Sequence, residues 1–176
     1  MSQRNLHTGI AETAARIRLL VLDVDGVLTD GSLHYGPEGF EWKTFHVRDG
    51  LGIKLAQRAG IEVAIISGRG GGAVEQRVKE LGIRQIRLKR DDKEVALEEI
   101  AEELKIGLSA IAAVGDDTPD IALFEVCGLG IAVADAHQSV LAAADWTTTL
   151  RGGRGAVREV CDMLIDARSI NDNEDA

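Results

Sequence analysis

Only two prolines and two cysteines occur in this 176-residue chain, and positive charge is outweighed, the formal net charge being −9. With so little proline and 45% hydrophobic residues, the chain reads as one globular domain with a sizeable core. Cys127 and Cys161 lack metal-ligand spacing, so each is expected to pack as a small apolar side chain in a reducing compartment. No basic face is evident that would neutralise phosphates along a strand, which argues against a nucleic-acid partner. No apolar run approaches the roughly 20 residues of a membrane span, and Met1 to Ala15 is too polar and mixed for a signal peptide. A soluble, cytoplasmic protein with no membrane partner is expected.

What is present concentrates first in Ile17 to Gly31, IRLLVLDVDGVLTDG. Leu19 to Leu22 is a continuous apolar run, as in a strand buried on both faces of a parallel sheet. Asp23 and Asp25 follow it. Two residues apart in extended chain, they project to the same side at the strand's carboxyl end, and Gly26 lets the chain turn away there. Taken alone, such a pair is more readily a solvated turn. Two carboxylates capping an apolar strand, however, repel each other and resist ionising unless a cation or hydrogen-bond donors compensate, a role that suits a divalent metal.

Beyond this loop, Ser32 to Val47 reads as a hairpin, with strands Leu33 to Tyr35 and Phe40 to Val47 joined through Gly36, Pro37, Glu38 and Gly39. It carries Tyr35, Phe40, Trp42 and Phe45, four of the chain's six aromatics, as local packing or as a contact surface for another subunit. Asp49 and Gly50 open a helix with Leu51, Leu55 and Ala59 at helical spacing. Further strands are predicted at Ile61 to Ile66, Gln85 to Leu88, Ala110 to Val114, Leu129 to Val133 and Trp146 to Thr149. Helices between them present Val74, Val78 and Leu81, then Leu97, Ile100, Ala101 and Leu104, and Thr118 and Pro119 read as the cap and first position of another. A last helix from about Gly155 to Ala167 presents Val157, Val160, Cys161 and Leu164. Residues 1–16 form a polar leader with a short Ala-rich helix, residues 17–168 the domain, and residues 169–176 an acidic, disordered tail.

Strands alternating with helices predict an α/β fold, Rossmann-like and doubly wound, with a mostly parallel sheet and a β-hairpin inserted after the first strand. About forty residues separate Asp25 from Ser67, most of them committed to the hairpin and a helix, which leaves no room for a cap domain. In such a sheet the strand ends share one edge, the edge where ligands bind. It collects Asp23 and Asp25, then Ser67 and Arg69, then Lys93, then Asp116 and Asp117. Individually these have ordinary readings: Lys93 in KRDDKE as a solvated helix start, Ser67 as a strand end, Asp116 and Asp117 as a helix cap. The functional case rests on their convergence.

DVDGVLTD, the SGR beginning at Ser67, the isolated Lys93 and the GDD beginning at Gly115 together resemble the four motifs of the haloacid dehalogenase superfamily of phosphatases, over about Ile17 to Ala167. The segments HVRDGLGIKLAQRAGIEVAIISGR and GGRGAVREVCD are similar to its 3-deoxy-D-manno-octulosonate 8-phosphate phosphatases, small members acting in lipopolysaccharide sugar synthesis. The resemblance implies a Mg²⁺-dependent phosphomonoesterase. Asp23 would be the nucleophile that becomes an aspartyl phosphate, and Asp25 the general acid and then base. Lys93 and the Ser67 hydroxyl would meet the phosphoryl oxygens. Asp23, the backbone carbonyl of Asp25 and Asp116 would hold Mg²⁺, with Asp117 in support.

The same resemblance carries sugar-acid contacts onto His46, Val47, Arg48, Asp49, Gly50, Lys54, Arg69 and Arg77, with Lys93 binding the substrate through its phosphoryl group. It also implies a homotetramer in which hairpins associate and a neighbour's C-terminal segment reaches the active site. Arg151 and Arg154, beside three glycines, suit that segment and a substrate carboxylate; a flexible linker before the last helix fits the same residues. Other readings of the chain are a phosphatase for a nonulosonic acid 9-phosphate, a catalytically idle oligomerising module of the same fold, and a phosphorylatable receiver domain. The last fits less well, because receivers lack the acid adjacent to the phosphorylated Asp.

Overall fold

The computed structural model describes residues 8–174, so residues 1–7 of the leader and the final two of the tail lie outside it. The Ala-rich end of the leader is a helix, α1 (Thr8–Ala15), with Ala14 buried. Strand β1 (Leu19–Leu22) is buried along its whole length, as its unbroken apolar run requires. A small hairpin, β2 (His34–Tyr35) and β3 (Glu41–Trp42), follows the Asp23 to Gly31 turn. Then come α2 (Val47–Arg58), β4 (Glu62–Ser67), α3 (Gly72–Leu81), β5 (Gln85–Leu88), α4 (Lys93–Leu104) and β6 (Ile111–Gly115). The chain ends with α5 (Ile121–Val126), β7 (Leu129–Ala132), α6 (Gln138–Ala143), β8 (Trp146–Thr147) and α7 (Ala156–Glu174).

The six-stranded sheet has the order β5-β4-β1-β6-β7-β8 and is parallel throughout. Counting only sheet strands along the chain, that order is 3-2-1-4-5-6, the doubly wound pattern. Leu22 pairs with Ile65 on one side and Val114 on the other, so β1, β4 and β6 end level with one another. Helices α1, α2 and α7 pack together with α3 beside α2, while α4, α5 and α6 form the other group. In α2 the predicted stripe is not the buried one: Leu51 is exposed and Leu55 and Ala59 are half-buried, while Ile53 and Ala56 face the core. In α3, α4 and α7 the predicted stripe packs on the core. In α3 this is Val74, Val78 and Leu81, and the helix stops at Gly82, whose φ of +72° the missing side chain permits.

Three boundaries differ from expectation. The hairpin shrinks to two residue pairs, His34 with Trp42 and Tyr35 with Glu41, because beyond Trp42 the second strand turns inward. There Lys43 enters the site and Phe45 packs half-buried with the Arg77 guanidinium 5.8 Å from its ring centre. Asp117, rather than Thr118, is the cap of the turn after β6. Finally, α7 continues to Glu174 instead of stopping at Ala167, since neither Gly nor Pro interrupts the run. Both cysteines pack as expected. Burial pushes the thiol of Cys127 up to about 11 and that of Cys161 up to about 12, which leaves neither reactive.

The start of α7 is held from a distance. Asp49, in the first turn of α2 and buried, accepts hydrogen bonds from the amides of Gly155 (3.2 Å) and Arg158 (2.8 Å). It is the N-terminal cap of a helix more than a hundred residues away in sequence. Asp49→Ala is expected to lower the unfolding free energy by about 1–3 kcal/mol, read as a lower urea midpoint at unchanged slope. Asp49→Asn, which keeps one acceptor, should lose less.

Candidate active site

The strand order reverses between β1 and β6, and a crevice opens outside their carboxyl ends. Asp23 follows β1 directly, its amide donating to the Val114 carbonyl at 3.2 Å. Asp116 follows β6. A cavity of about 610 Å³ there is lined by Asp23, Asp25, Ser67, Arg69, Lys93, Asp116, Asp117 and Asp120, among others. The convergence expected from the strand ends is therefore present in one chain.

Lys93, the first residue of α4, is buried and bridges two carboxylates, donating to Asp23 Oδ1 at 2.9 Å and Asp120 Oδ1 at 2.6 Å. Burial alone would lower its pKa, but these two anions more than offset that and hold it above the ordinary lysine value. Asp120 had no part in the sequence-based site. Its second oxygen accepts the amides of Asp116 (3.0 Å) and Asp117 (3.3 Å), so it braces the loop after β6 and orients Lys93. The only sequence signal for it is its position four residues after Asp116, on the next helical turn.

Carboxylate oxygens of Asp23, Asp116 and Asp120 lie within 4.8 Å of one another. Because both oxygens of Asp120 are engaged by Lys93 and the two amides, Asp23 and Asp116 are the better candidates to face a cation. Among the described residues no hydrogen bond or ion pair reaches the Asp116 side chain, and its pKa is raised to about 7, first by burial and then by repulsion from Asp23, Asp120 and Asp117. Burial likewise raises Asp23, against the pull of Lys93. An all-oxygen donor set with uncompensated charge fits a hard divalent ion such as Mg²⁺. Asp117, expected to support the metal, is exposed and its carboxylate accepts the Thr118 amide at 2.7 Å as the helix cap.

Asp25 has a different set of neighbours. Its Oδ1 accepts a hydrogen bond from Lys43, and Arg69 Nε stands 3.6 Å from its Oδ2. Lys43 was not foreseen, although the alternation of Glu41, Lys43 and Phe45 on one hairpin face is a signal for it. Arg69 also donates to Glu41 at 2.8 Å. The buried Ser67 hydroxyl accepts the Arg69 amide at 3.3 Å, which fixes the loop after β4.

The other expected substrate contacts do not line this cavity. His46, Val47, Arg48, Asp49 and Gly50 form the start of α2, where Asp49 caps α7. Gly50 is packed so closely under Arg77 that a side chain there would overlap the guanidinium. Arg77 is held by Glu80 at 2.8 Å and the His46 carbonyl at 3.4 Å, and Lys54 donates to the Glu80 carbonyl at 3.1 Å. Arg154 pairs with Asp30 on the turn after β1 at 2.9 Å. Between them, Gly152 and Gly153 lie against that turn: a side chain on Gly152 would overlap the Gly26 carbonyl, and the Gly153 amide donates to Val27 at 2.9 Å.

The raised Asp116 fixes a direction of pH dependence. The folded chain binds that proton more tightly than the unfolded chain, so the group's destabilising effect is full above pH about 7 and fades as pH falls toward the ordinary carboxyl range. In chelator, Asp116→Asn should therefore melt higher than the parent at pH 8, with the advantage shrinking toward pH 5. Mg²⁺ should raise the parent's melting temperature at pH 8 and the variant's little. An advantage equal at both pH values would contradict this account.

Comparison with known proteins agrees with the geometry. The sequence pattern of haloacid dehalogenase-like hydrolases matches residues 84–157. The chain is 48% identical over 161 residues to the 3-deoxy-D-manno-octulosonate 8-phosphate phosphatase KdsC of Salmonella typhi, covering 92% of this chain and 86% of that protein. Its counterpart in Escherichia coli K12 is 49% identical over 155 residues, covering 88% and 82%. Among solved structures, the phosphatase of that name from Moraxella catarrhalis, in complex with magnesium ion, phosphate ion and a KDO molecule, superposes with a TM-score of 0.91 at 42% identity, covering 96% of this chain and 97% of that one. With its motifs converged on one cavity and identity sustained along nearly its whole length, the chain belongs to the 3-deoxy-D-manno-octulosonate 8-phosphate phosphatase family of haloacid dehalogenase-like hydrolases.

Proposed function

We propose that the chain is a Mg²⁺-dependent phosphomonoesterase that hydrolyses 3-deoxy-D-manno-octulosonate 8-phosphate to the free sugar acid and phosphate, a step in making lipopolysaccharide precursors. The observation that carries this reading is the meeting of Asp23, Asp25, Ser67, Lys93 and Asp116 at one cavity, in a chain this similar to enzymes of that name. In this reading an Asp23 oxygen attacks phosphorus. The bond from phosphorus to the sugar oxygen breaks, and its electron pair stays on that oxygen, which takes the proton of Asp25. Asp25 then removes a proton from water as the water attacks the aspartyl phosphate, which releases phosphate and restores Asp23. Lys93 holds Asp23 in place and offers positive charge to the phosphoryl oxygens, and Ser67 offers a hydroxyl. Asp23, Asp116 and the Asp25 carbonyl are the groups suited to hold Mg²⁺, which when bound offsets the negative charge gathered between carboxylates and phosphate.

We assign the sugar-acid contacts of His46 to Gly50, Lys54, Arg69, Arg77 and Arg154 to a homotetramer that shares walls between active sites. Support comes from the surface. Tyr35, Phe40 and Trp42 on the hairpin, and Val47 and Leu51 beside it, are all exposed, an apolar patch that isolated chains rarely show. Among the described residues no cap domain lies over the cavity, and in this reading the uncapped site gains selectivity from a neighbour. Among the described residues no helix is long and apolar enough to cross a membrane.

Phosphate release with Mg²⁺ should be greatest on 3-deoxy-D-manno-octulosonate 8-phosphate, smaller on a nonulosonate 9-phosphate and on hexose phosphates, and lost in chelator. Equal turnover of all three would remove the substrate assignment and leave the chemistry. Asp23→Asn should lower turnover by at least about 1,000-fold while the protein stays folded. Phe40→Asp should yield a smaller species by sedimentation and lose more turnover on the sugar acid than on p-nitrophenyl phosphate; an unchanged species would refute the hairpin interface.

A further inference from the structure

Lys43 stands just past β3, on the hairpin, with a side chain only 2% exposed. Its ammonium group donates to Asp25 Oδ1 and lies 2.7 Å from Glu41 Oε1, an ion-pair distance without hydrogen-bond alignment. The second Asp25 oxygen, Oδ2, has no hydrogen-bond partner, and Arg69 Nε faces it from 3.6 Å. Asp25 is thus hydrogen-bonded through one oxygen, while the other, buried, meets only the Arg69 guanidinium at ion-pair distance. A buried lysine is costly unless paired, and a hairpin of two residue pairs is marginal by itself. The place where this hairpin touches the site is the carboxylate assigned to proton transfer.

We propose that Lys43 is a positioning residue. It fixes the Asp25 carboxyl group through Oδ1 so that Oδ2 serves the leaving sugar oxygen, and Glu41 holds Lys43 in that place. The proposal rests on the phosphomonoesterase reading. When the bond from phosphorus to the sugar oxygen breaks, the electron pair remains on an alkoxide that needs a proton from Asp25, while phosphorus gains its bond to Asp23. Nitrophenolate departs from p-nitrophenyl phosphate without such help. The hairpin would then couple two tasks: its outward face carries the exposed aromatics, and its inward face sets the acid.

The test compares kcat/KM, which covers the steps up to departure of the alcohol, for 3-deoxy-D-manno-octulosonate 8-phosphate and p-nitrophenyl phosphate with Mg²⁺. Lys43→Met should lose roughly 10- to 100-fold on the sugar phosphate and less than about threefold on the nitrophenyl ester, the pattern of a misplaced general acid. Lys43→Arg should recover most of the loss, and circular dichroism and melting should show both variants folded. Equal losses on the two substrates, or none on either, in variants that remain folded overturn the proposal while leaving the phosphatase reading intact. A parent protein inactive on both substrates overturns the two together.

Discussion

The ammonium of Lys93, buried between Asp23 and Asp120, is the interaction on which the site depends. Its location is locally unfavourable twice over. A cation in the first turn of a helix opposes the helix dipole, and a buried charge loses its hydration. Only the two carboxylates explain it, and removing the lysine would leave both buried without their cation, at a cost of about 3–5 kcal/mol for such a broken pair. One lysine among Asp23, Asp116 and Asp120 still leaves the cluster short of positive charge, and Asp116 resists ionising first because it is buried and then because its carboxylate neighbours repel it. A divalent cation supplies what is missing, and with it in place a phosphate dianion can approach.

The sheet makes this crowding possible. Because β1, β4 and β6 end level, residues from three separate segments reach one edge without long excursions of the chain. Asp23 and Asp116 leave neighbouring strands at the reversal point, where helices run to opposite faces and the crevice is open. Gly26 turns the chain with a φ of +86°, and any side chain on it would overlap the Asp116 carboxylate. The turn must therefore be made by a residue that can adopt that backbone and that occupies no space toward the neighbouring acid.

Much of this was legible in the sequence because it is local. The apolar run before Asp23, the spacing from Asp23 to Asp25, the strand ends before Ser67 and Asp116, and the alternation of helix and strand all follow from chain geometry over a few residues. Lys93 was legible only as one of a set, since its own surroundings look like a solvated helix start. Asp120 and Lys43 left only faint spacing signals, and the capping role of Asp49 left none. Asp120 and Lys43 act through groups brought near only by the fold, and Asp49 lies in a segment onto which the family resemblance carries substrate contacts. The short hairpin was overestimated because alternation continues past Trp42, while the backbone there turns inward to bury Lys43.

The C-terminal segment shows how differently neighbouring residues are held. Arg154 meets Asp30 at 2.9 Å with its side chain 64% exposed. An exposed pair of that kind contributes less than about 1 kcal/mol, so the guanidinium can leave Asp30 for another anion at little cost. Gly152 and Gly153 are held otherwise, by backbone contact with the turn that carries Asp25 and by the Gly153 amide on Val27. They cannot shift without opening that turn, and Asp49 secures the helix immediately after them. The segment therefore joins a mobile cation to a fixed base, and the part that shapes the nucleophile's turn is the part with no side chains to reveal it.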